Sequence, residues 1–333
     1  MGRGAFEHNY QSFDLPELRT QHRDVEPTPL PLVWQASPGA VHADLFCGDN
    51  LALGNWLLAR GAAFRLIYLD PPFASGKRYA ARVNGAKGVQ SQAIHAYDDD
   101  DDLEAYLRWL ELRLVVARDL LAHDGTLYVH LDWHAVHYVK VLLDRLFGRS
   151  RFLNEIIWCY HGPSPITSAF KRKHDTILVY TKSRAYYFNA DAVRTPYDES
   201  TVRTFRSSRK AGFGKVPDLE RGKVPEDWWY FPVVARLHGE RVGYETQKPE
   251  ALLRRVILAS SAPGDAILDL FGGSGTTGVV GAQLGRHTTL CDSNPVAIEK
   301  TLLRLRGLDP CPDVRVWRYS TVATPPSQLT GDE

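Results

Sequence analysis

Residues 269–278 have the sequence DLFGGSGTTG and join a predicted strand to a predicted helix. The apolar run Ala266–Leu270 leads into the glycines and predicts a buried strand, while residues 276–284 predict a helix. Glycines let a backbone approach a ligand closely, and the first turn of a helix offers free N–H groups. In an open α/β sheet, ligands bind beyond the carboxyl ends of the strands. The stretch therefore predicts a ligand site at the end of a strand.

Strands and helices alternate over most of the chain on either side of this stretch. The predicted strands are 41–47, 65–69, 126–131, 152–158, 176–181, 266–270 and 288–291. Five of the predicted helices are 51–59, 134–146, 250–261, 276–284 and 296–306. A sixth starts near the five aspartates of 98–102, since acidic residues favour the start of a helix. It carries an apolar stripe at Leu103, Leu107, Leu110, Leu114, Ala117 and Leu121. This alternation predicts a mostly parallel sheet with helices on both faces.

The composition is typical of a folded intracellular enzyme. The 333 residues are 44% apolar and 24% charged, which argues against disorder and coiled-coil structure. No apolar run approaches the ~18 residues that a membrane span requires, and the polar N-terminus does not resemble a signal peptide. The cysteines, Cys47, Cys159, Cys291 and Cys311, form no C-x-x-C pair and indicate a reducing cytosol. Because the net charge is +1, binding to a polyanion requires a local basic patch.

Two regions depart from the alternation. Residues 1–40 are rich in proline and charge and predict an irregular N-terminal leader. Residues 184–246 predict an irregular insert, in which the stretch 194–241 holds ten Lys or Arg residues, seven Asp or Glu residues and several aromatic side chains. The rest of the chain divides into two halves of one α/β domain, at 41–183 and 247–308, and a C-terminal tail at 309–333.

A second segment places unusual chemistry at a strand end. Asp70-Pro71-Pro72-Phe73 directly follows the predicted strand 65–69. The two prolines remove two N–H donors and leave carbonyl oxygens free to accept hydrogen bonds. Beside them stand a carboxylate, which only accepts, and an aromatic face. This set suits an exocyclic amine on a flat heterocycle, because Asp70 and a proline carbonyl bind the two amine hydrogens while the ring stacks on Phe73.

Several motifs in this order resemble the amino-group DNA methyltransferases, the N6-adenine and N4-cytosine enzymes, of the circularly permuted beta type. The motifs are Gly48–Asn50, Asp70–Phe73, Asn154–Trp158, Lys173–Thr176, Thr246–Pro249 and Asp269–Gly275, and the F-x-G-x-G of the family is met by Phe271, Gly273 and Gly275. The resemblance runs from Val41 to Leu308. It implies a Rossmann-like, S-adenosylmethionine-dependent methyltransferase fold with a mostly parallel seven-stranded sheet. In the sheet order of the family, the first four strands are 266–270, 288–291, 43–47 and 65–69.

The resemblance also implies a cofactor site and a role for each domain. The half 247–308 binds S-adenosylmethionine, and the half 41–183 carries the catalytic residues. The implied cofactor-binding residues are Asp269, Phe271, Gly273, Gly275, Thr276, Asp292, Lys248 and Asp49. Of these, Lys248 pairs with the methionine carboxylate, Asp292 takes the ribose and Asp49 takes the adenine edge. No metal ion is expected, and no acid or base partner is evident in the sequence for the histidines His130, His134 and His137.

The implied reaction is direct in-line methyl transfer to the N6 amine of an adenine flipped out of double-stranded DNA. The implied catalytic residues are Asp70, Pro71, Pro72 and Phe73, with Tyr160 as a second wall for the flipped base. Aspartate at position 70 is typical of the adenine enzymes, whereas serine there is typical of the cytosine enzymes. The insert 184–246 recognises the target sequence. The implied DNA-binding residues are Lys77, Arg78, Arg203, Arg206, Arg209 and Lys210.

The sequence leaves other functions and several partners open. N4-cytosine methylation keeps the whole site, and RNA or a protein glutamine amide are alternative substrates. Gly273–Gly278 also satisfies the G-x-G-x-x-G of NAD-dependent oxidoreductases, but Asp70–Phe73 then has no role. A DNA-binding protein with an inactive methyltransferase fold is a third class. The resemblance allows a homodimer and a cognate restriction endonuclease, and it places the protein in the prokaryotic cytosol or nucleoid.

Overall fold

The computed structural model describes residues 27–29, 41–72, 101–207, 217–235, 239–244 and 246–319. Its strands are β1 Pro27–Pro29, β2 His42–Cys47, β3 Phe64–Leu69, β4 Leu121–Leu131, β5 Phe152–Cys159, β6 His174–Thr181, β7 Trp228–Tyr230, β8 Ala266–Asp269, β9 His287–Asp292 and β10 Asp313–Tyr319. Its α-helices are α1 Asn50–Ala59, α2 Asp101–Leu120, α3 Val136–Phe147, α4 Glu199–Ser207, α5 Glu250–Ser260, α6 Thr276–Gln283 and α7 Pro295–Arg306.

These strands form one sheet in the order β1-β10-β2-β9-β8-β3-β4-β6-β5-β7. Six of the nine strand pairings are parallel, and the antiparallel ones are β1–β10, β4–β6 and β5–β6. The predicted α/β class with a mostly parallel sheet is confirmed. The four strands that the resemblance numbers first to fourth are successive neighbours in the sheet, in the spatial order β2, β9, β8 and β3, so that the fourth lies beside the first.

The sheet has ten strands in the described residues rather than seven, and the additional strands lie at its two ends. Pro27–Pro29, within the leader expected to be irregular, pairs antiparallel with β10. Asp313–Tyr319, within the expected C-terminal tail, pairs in parallel with β2. Trp228–Tyr230 of the insert pairs in parallel with β5. The insert also contains α4, so residues 184–246 are not wholly irregular, and β7 attaches them to the sheet.

The side chains of β3 alternate between two apolar layers. Ile67 and Leu69 pack in the cluster that includes residues of α1, α2 and α3. Leu66 and Tyr68 pack in a second cluster that includes residues of α5 and α6. Helices therefore cover both faces of the strand that leads to Asp70, as a buried parallel sheet requires.

The long helix α2 follows the predicted stripe, with a correction at its end. Leu110, Leu114 and Ala117 are fully buried, but Leu121 already belongs to β4, which begins ahead of the predicted start at Thr126. Of the four cysteines, Cys291 is buried, and Cys47, Cys159 and Cys311 are partly buried. Among the helices of the described ranges, none has the length and apolar composition needed to cross a membrane.

Candidate active site

Three carboxylates lie at one edge of the sheet. Asp70 follows β3, Asp269 ends β8 and Asp292 ends β9. The strand β8 lies between β3 and β9, and both pairings are parallel, with Tyr68 opposite Asp269 and Asp269 opposite Leu290. Because the carboxyl ends of neighbouring parallel strands meet at the same edge, the two segments singled out in the sequence form one site.

The glycine-rich turn between β8 and α6 is held by backbone hydrogen bonds. The Gly272 N–H donates to the Cys291 carbonyl at 2.8 Å, and the Gly275 N–H donates to the Gly272 carbonyl at 2.8 Å. Gly273 and Gly275 have φ values of +52° and +76°, a region that residues with side chains rarely adopt. A Cβ on Gly275 would also lie 2.4 Å from the Thr301 side chain of α7. The turn therefore favours glycine at both positions, at Gly275 because Thr301 packs against it and at Gly273 because of its positive φ.

Asp292 closes this turn from the neighbouring strand. Its Oδ2 accepts the N–H of Gly273 at 2.8 Å, and its Oδ1 accepts the N–H of Asn294 at 2.8 Å. Burial raises the pKa of Asp292, and these two hydrogen bonds oppose the shift. Each carboxylate oxygen keeps a further lone pair. The residue predicted to bind ribose hydroxyls thus lies beside the turn with acceptor capacity left.

Asp269 is the most deeply buried of the three carboxylates. Its Oδ1 accepts the N–H of Phe271 at 2.9 Å, and its Oδ2 accepts the Thr277 hydroxyl at 2.6 Å. Burial raises the pKa of Asp269 to about 7 against the effect of these two hydrogen bonds, and the charges of Asp70 and Asp292 raise it further. The site therefore contains a carboxyl group that changes its charge near neutral pH.

The remaining predicted cofactor residues on this side border the turn. Phe271 packs against Trp109 of α2, with ring centroids 5.7 Å apart. Thr276 is the buried first residue of α6, and its hydroxyl donates to the Lys248 carbonyl at 3.2 Å. The same hydroxyl oxygen accepts a hydrogen bond from Arg304 at 3.1 Å. Thr276 therefore joins the turn to the segment that carries Lys248.

Lys248 contacts the predicted catalytic carboxylate. Its Nζ lies 2.5 Å from Asp70 Oδ2, and both side chains are largely shielded from solvent. The partner expected for Lys248 from the sequence is the carboxylate of the cofactor, so the partner that the structure shows is a different one. Lys248 precedes Pro249, the N-cap of α5, and the start of this helix places the ammonium group against the end of β3. Within the motif itself, Pro71 is buried and Pro72 is exposed.

A buried hydrogen-bond network lies beside this ion pair. His130 Nδ1 is 2.7 Å from the Tyr68 hydroxyl, and His130 Nε2 is 3.3 Å from Asp175 Oδ2. The Tyr160 hydroxyl donates to Asp175 Oδ1 at 3.1 Å. Burial alone would raise the pKa of Asp175, but the hydrogen bond and charge of His130 and the charge of Lys248 hold it below its usual value. The network connects β4, β6 and the penultimate residue of β3.

These contacts correct the expectation that the histidines lack acid or base partners. His130 has Asp175, and His134 Nδ1 lies 2.5 Å from Asp132 Oδ2. Asp132 is only two residues from His134, so this partner could be found in the sequence. Asp175 is brought to His130 by the antiparallel pairing of β4 with β6, and its one sequence signal is its place in the Lys173–Thr176 motif.

Asp49 has a structural role at the start of α1. Its Oδ1 accepts the N–H of Ala52 at 2.9 Å, which makes it the N-cap of α1, and its Oδ2 lies 3.1 Å from Arg113 Nη2. The adjacent Asn50 donates to the Leu270 carbonyl at 2.9 Å and so ties α1 to the end of β8. The predicted contact of Asp49 with the adenine edge stays a prediction.

The predicted DNA-binding residues are described only in part. Arg203 and Arg206 are exposed on α4, within the insert. The predicted site residues that lie outside the described residues are Phe73, Lys77, Arg78, Arg209 and Lys210.

Sequence relatives of the chain are DNA methyltransferases. The DNA methylase family matches residues 64–302. The DNA adenine methyltransferase YhdJ of Escherichia coli K12 is 30% identical over 242 residues, which cover 72% of this chain and 75% of YhdJ. The type II methyltransferase M.HpaI of Haemophilus parainfluenzae is 32% identical over 241 residues, which cover 72% of this chain and 67% of M.HpaI.

Solved structures of DNA methyltransferases share the fold. The M1.HpyAVI–SAM complex superposes with a TM-score of 0.53 at 18% identity, and the match covers 80% of this chain and 100% of the other. The cytosine-N4-specific PvuII DNA methyltransferase has a TM-score of 0.52 at 16% identity, covering 80% of this chain and 89% of the other. The fold is therefore that of the S-adenosylmethionine-dependent DNA methyltransferases.

Fold, site and sequence relatives agree on one class of enzyme. The protein is a DNA methyltransferase, and its chain belongs to the family of N6/N4 DNA methylases. The oxidoreductase interpretation of Gly273–Gly278 is accordingly set aside.

Proposed function

We propose that this DNA methyltransferase transfers a methyl group from S-adenosylmethionine to the N6 amine of an adenine in double-stranded DNA. The observation that carries the proposal is the position of Asp70-Pro71-Pro72 at the end of β3, beside the glycine-rich turn at the end of β8. The first segment offers hydrogen-bond acceptors for an amine, and the second offers open backbone for a cofactor. The parallel pairing of β3 with β8 brings the two segments to one edge of the sheet.

The residues around the turn fit S-adenosylmethionine. The positive φ of Gly273 favours a residue without a side chain where the cofactor would lie, and Asp292 has lone pairs left for ribose hydroxyls. Asp269 is the carboxyl group proposed to face the ammonium of the methionine part. Lys248, whose backbone carbonyl accepts from Thr276 at the turn, is proposed to hold the methionine carboxylate as well as Asp70, because an ammonium group can donate three hydrogen bonds. When bound, the cofactor supplies an electrophilic methyl group on a sulfonium centre.

The catalytic residues act on the amine nitrogen of the base. An aromatic amine is a poor nucleophile because its lone pair is delocalised into the ring. When the Asp70 carboxylate and the Pro71 carbonyl accept the two amine hydrogens, the lone pair is localised on the nitrogen and directed toward the methyl group. Asp70 is also an acceptor for the proton that the nitrogen loses after transfer. Most of the rate gain comes from position and preorganised electrostatics, and the Lys248 contact orients the carboxylate.

Adenine is the proposed target rather than cytosine. In the family that the motifs resemble, aspartate at position 70 is typical of N6-adenine enzymes and serine is typical of N4-cytosine enzymes. The relative YhdJ, at 30% identity, is a DNA adenine methyltransferase. The cytosine-N4-specific PvuII enzyme is only 16% identical, so its likeness concerns the fold alone.

The target base has to leave the duplex because its amine is inaccessible to the enzyme inside the stacked helix. We propose that Phe73 stacks on the flipped base and that Tyr160 forms the opposite wall. The insert 184–246 reads the surrounding sequence, and its cations make the binding dependent on salt. Lys77 and Arg78 contact phosphates in this proposal.

A transfer assay tests the proposed function. The protein is incubated with duplex DNA and methyl-labelled S-adenosylmethionine, and the digested nucleosides are separated. We expect the label in N6-methyladenine. Label in N4-methylcytosine would contradict the adenine assignment, and the absence of label from DNA would contradict the proposal as a whole.

The variant Asp70→Ala separates catalysis from binding in the same assay. Its methyl group accepts no hydrogen bond from the amine, so the transfer rate should fall by at least ~10²-fold. Its affinity for S-adenosylmethionine, measured by calorimetry, should change little. A rate near that of the wild type would remove Asp70 from the proposed mechanism.

A further inference from the structure

Residues 161–173, which follow Tyr160 and lead into β6, lie at the edge of the sheet that carries Asp70. β5 ends and β6 begins at this edge, because β6 runs antiparallel to both β5 and β4 while β4 runs parallel to β3. The residues 161–173 contain three cations, Lys171, Arg172 and Lys173, and no acidic residue. We call 161–173 the β5–β6 loop, and the proposed function gives it no role.

Phe170 is the most exposed large apolar residue of the described chain. Its relative exposure is 99%, and the Lys171 and Arg172 side chains next to it are also exposed. Burying an aromatic side chain stabilises a folded protein, and at Phe170 this stabilisation is absent beside two exposed cations. A fully exposed phenylalanine beside cations suits a partner that combines flat apolar surface with negative charge.

The base of the β5–β6 loop is anchored to the sheet. The Tyr160 N–H donates to the Lys173 carbonyl at 3.0 Å, and Lys173 Nζ donates to the Pro163 carbonyl at 2.9 Å. Both ends of the loop are therefore held while Phe170 remains free of the core. Such anchoring lowers the entropy lost when the loop binds.

Neighbouring strand ends contribute further aromatic side chains to the same surface. Trp133, which follows β4, is exposed, and the Arg172 guanidinium lies 4.1 Å from the centroid of its ring. Tyr230, at the end of β7, is exposed and lies 5.1 Å from the ring of His161. Aromatic faces interleaved with arginine and lysine are typical of surfaces that bind nucleic acid bases and phosphates.

We propose that the β5–β6 loop binds the duplex at the target base pair, with its cations on phosphates and Phe170 inserted into the base stack where the adenine has left it. Apolar side chains of this kind enter base steps in other DNA-binding proteins. The inference rests on the proposed function, because it presupposes a flipped base. Since the whole protein has a net charge of only +1, such a local basic surface is what binding to a polyanion requires.

The test compares Phe170→Ala with Leu303→Ala, a control at an exposed apolar residue on α7. Each variant methylates two duplexes with the same recognition sequence, one with thymine opposite the target adenine and one with an abasic site there. Phe170→Ala should be at least ~10-fold slower than the wild type on the paired duplex. Its rate should recover on the abasic duplex, where the adenine is already unpaired. Leu303→Ala should match the wild type on both.

The outcomes separate this inference from the proposed function. A wild-type protein that methylates no duplex contradicts the proposed function. An active wild type with an equally active Phe170→Ala, or with a Phe170→Ala defect that persists on the abasic duplex, overturns the insertion of Phe170. Unchanged melting and S-adenosylmethionine affinity in Phe170→Ala show that the variant is folded.

A second pair of variants tests the cations. Lys171→Ala with Arg172→Ala should weaken DNA binding and reduce the slope of log affinity against log salt by about one for each phosphate that the loop no longer neutralises. Arg306→Ala, at an exposed residue on α7, is the control and should leave the slope unchanged. If the double variant keeps the DNA affinity and salt slope of the wild type, the duplex does not contact the cations of the β5–β6 loop. This conclusion holds whatever the result for Phe170→Ala.

Discussion

The Asp269 carboxyl group makes the stability of the protein depend on pH. This dependence can be measured on the protein alone, without DNA. Burial raises the pKa of Asp269 from 3.8 to about 7. Between these two values, the folded protein holds a proton that the unfolded chain has released. The contribution of Asp269 to the free energy of unfolding therefore decreases as the pH rises through this interval, and it is constant below and above it.

Replacing Asp269 with asparagine removes the titrating group and keeps the shape. Relative to this variant, the wild type should lose stability steadily from about pH 4 to about pH 7. Denaturant titrations at a series of pH values measure the difference. Glu299→Gln, at an exposed position of α7, is the control and should run parallel to the wild type. If the stability of Asp269→Asn changes with pH in the same way as that of the wild type, the raised pKa of Asp269 is contradicted.

Gly273 provides a second prediction for a single residue. Gly273→Leu should lower the affinity for S-adenosylmethionine by at least ~10-fold, because a Cβ there meets no closer protein atom than Tyr244 at 3.5 Å and the side chain would extend into the proposed cofactor space. Gly264→Leu is the matched control, since Gly264 also has a positive φ, +85°, and open space around it. Both variants carry about 1–2 kcal/mol of backbone strain. Calorimetry that finds equal affinity in a folded Gly273→Leu protein would move the cofactor away from this turn.

Among the elements, the short strand β7 fastens the insert to the sheet through its pairing with β5. Trp229 is 7% exposed, donates its indole N–H to the Glu226 carbonyl at 2.8 Å and lies under the guanidinium of Arg255 of α5. Its neighbour Trp228 points away and is 64% exposed. The two tryptophans therefore offer a buried test position, Trp229, and an exposed control position, Trp228, on the same strand.

Trp229→Ala should cost about 3 kcal/mol of local stability and loosen the insert. DNA affinity should fall, while the affinity for S-adenosylmethionine should stay, because β8 and β9 lie elsewhere in the sheet. Trp228→Ala should have little effect on stability. Hydrogen exchange across residues 184–246 and DNA titrations measure both effects. If the two variants behave alike, β7 is not the anchor of the insert.

Elements with a strong local pattern were predictable, and those that depend on distant partners were not. The strand at Phe64–Leu69 is a mostly apolar run, and its position follows from the sequence. In β10, Val314 and Val316 are buried beside charged neighbours, and the strand pairs with β2, at the other end of the chain. The three residues of β7 are too few to show a period.

The positions of site residues could be predicted where these residues end or directly follow a predicted strand. Asp70, Asp269 and Asp292 follow from the order of strands, and the turn at Gly273 follows from its glycines. The contact of Lys248 with Asp70 joins residues 178 positions apart, and no sequence pattern specifies which of two carboxylates a lysine will meet. His130 and Asp175 are likewise brought together only by the register of β4 and β6.

At the scale of the whole molecule, the site is assembled from both ends of the chain. β2 and β3 come from its first part and β8 and β9 from its last, yet the four strands are successive neighbours. With a net charge of +1, the protein as a whole does not attract DNA. Binding therefore depends on local cations, and Arg203 and Arg206 on the exposed part of α4 are the described cations predicted to serve it.

The double variant Arg203→Ala with Arg206→Ala should bind DNA more weakly, with a smaller salt slope, because fewer counterions are released from the phosphates. Its affinity for S-adenosylmethionine should equal that of the wild type. Fluorescence titrations with labelled duplex at several salt concentrations measure the slope. A slope and affinity equal to those of the wild type would exclude α4 from the DNA interface.

Single-molecule sequencing of DNA from a host that expresses the protein reports the modified base and its sequence together. We expect N6-methyladenine at one recognition sequence with the wild-type protein and a strong reduction of it with Asp70→Ala. Modified cytosines, or N6-methyladenine at the wild-type level with Asp70→Ala, would contradict the claim that Asp70 activates the amine of adenine.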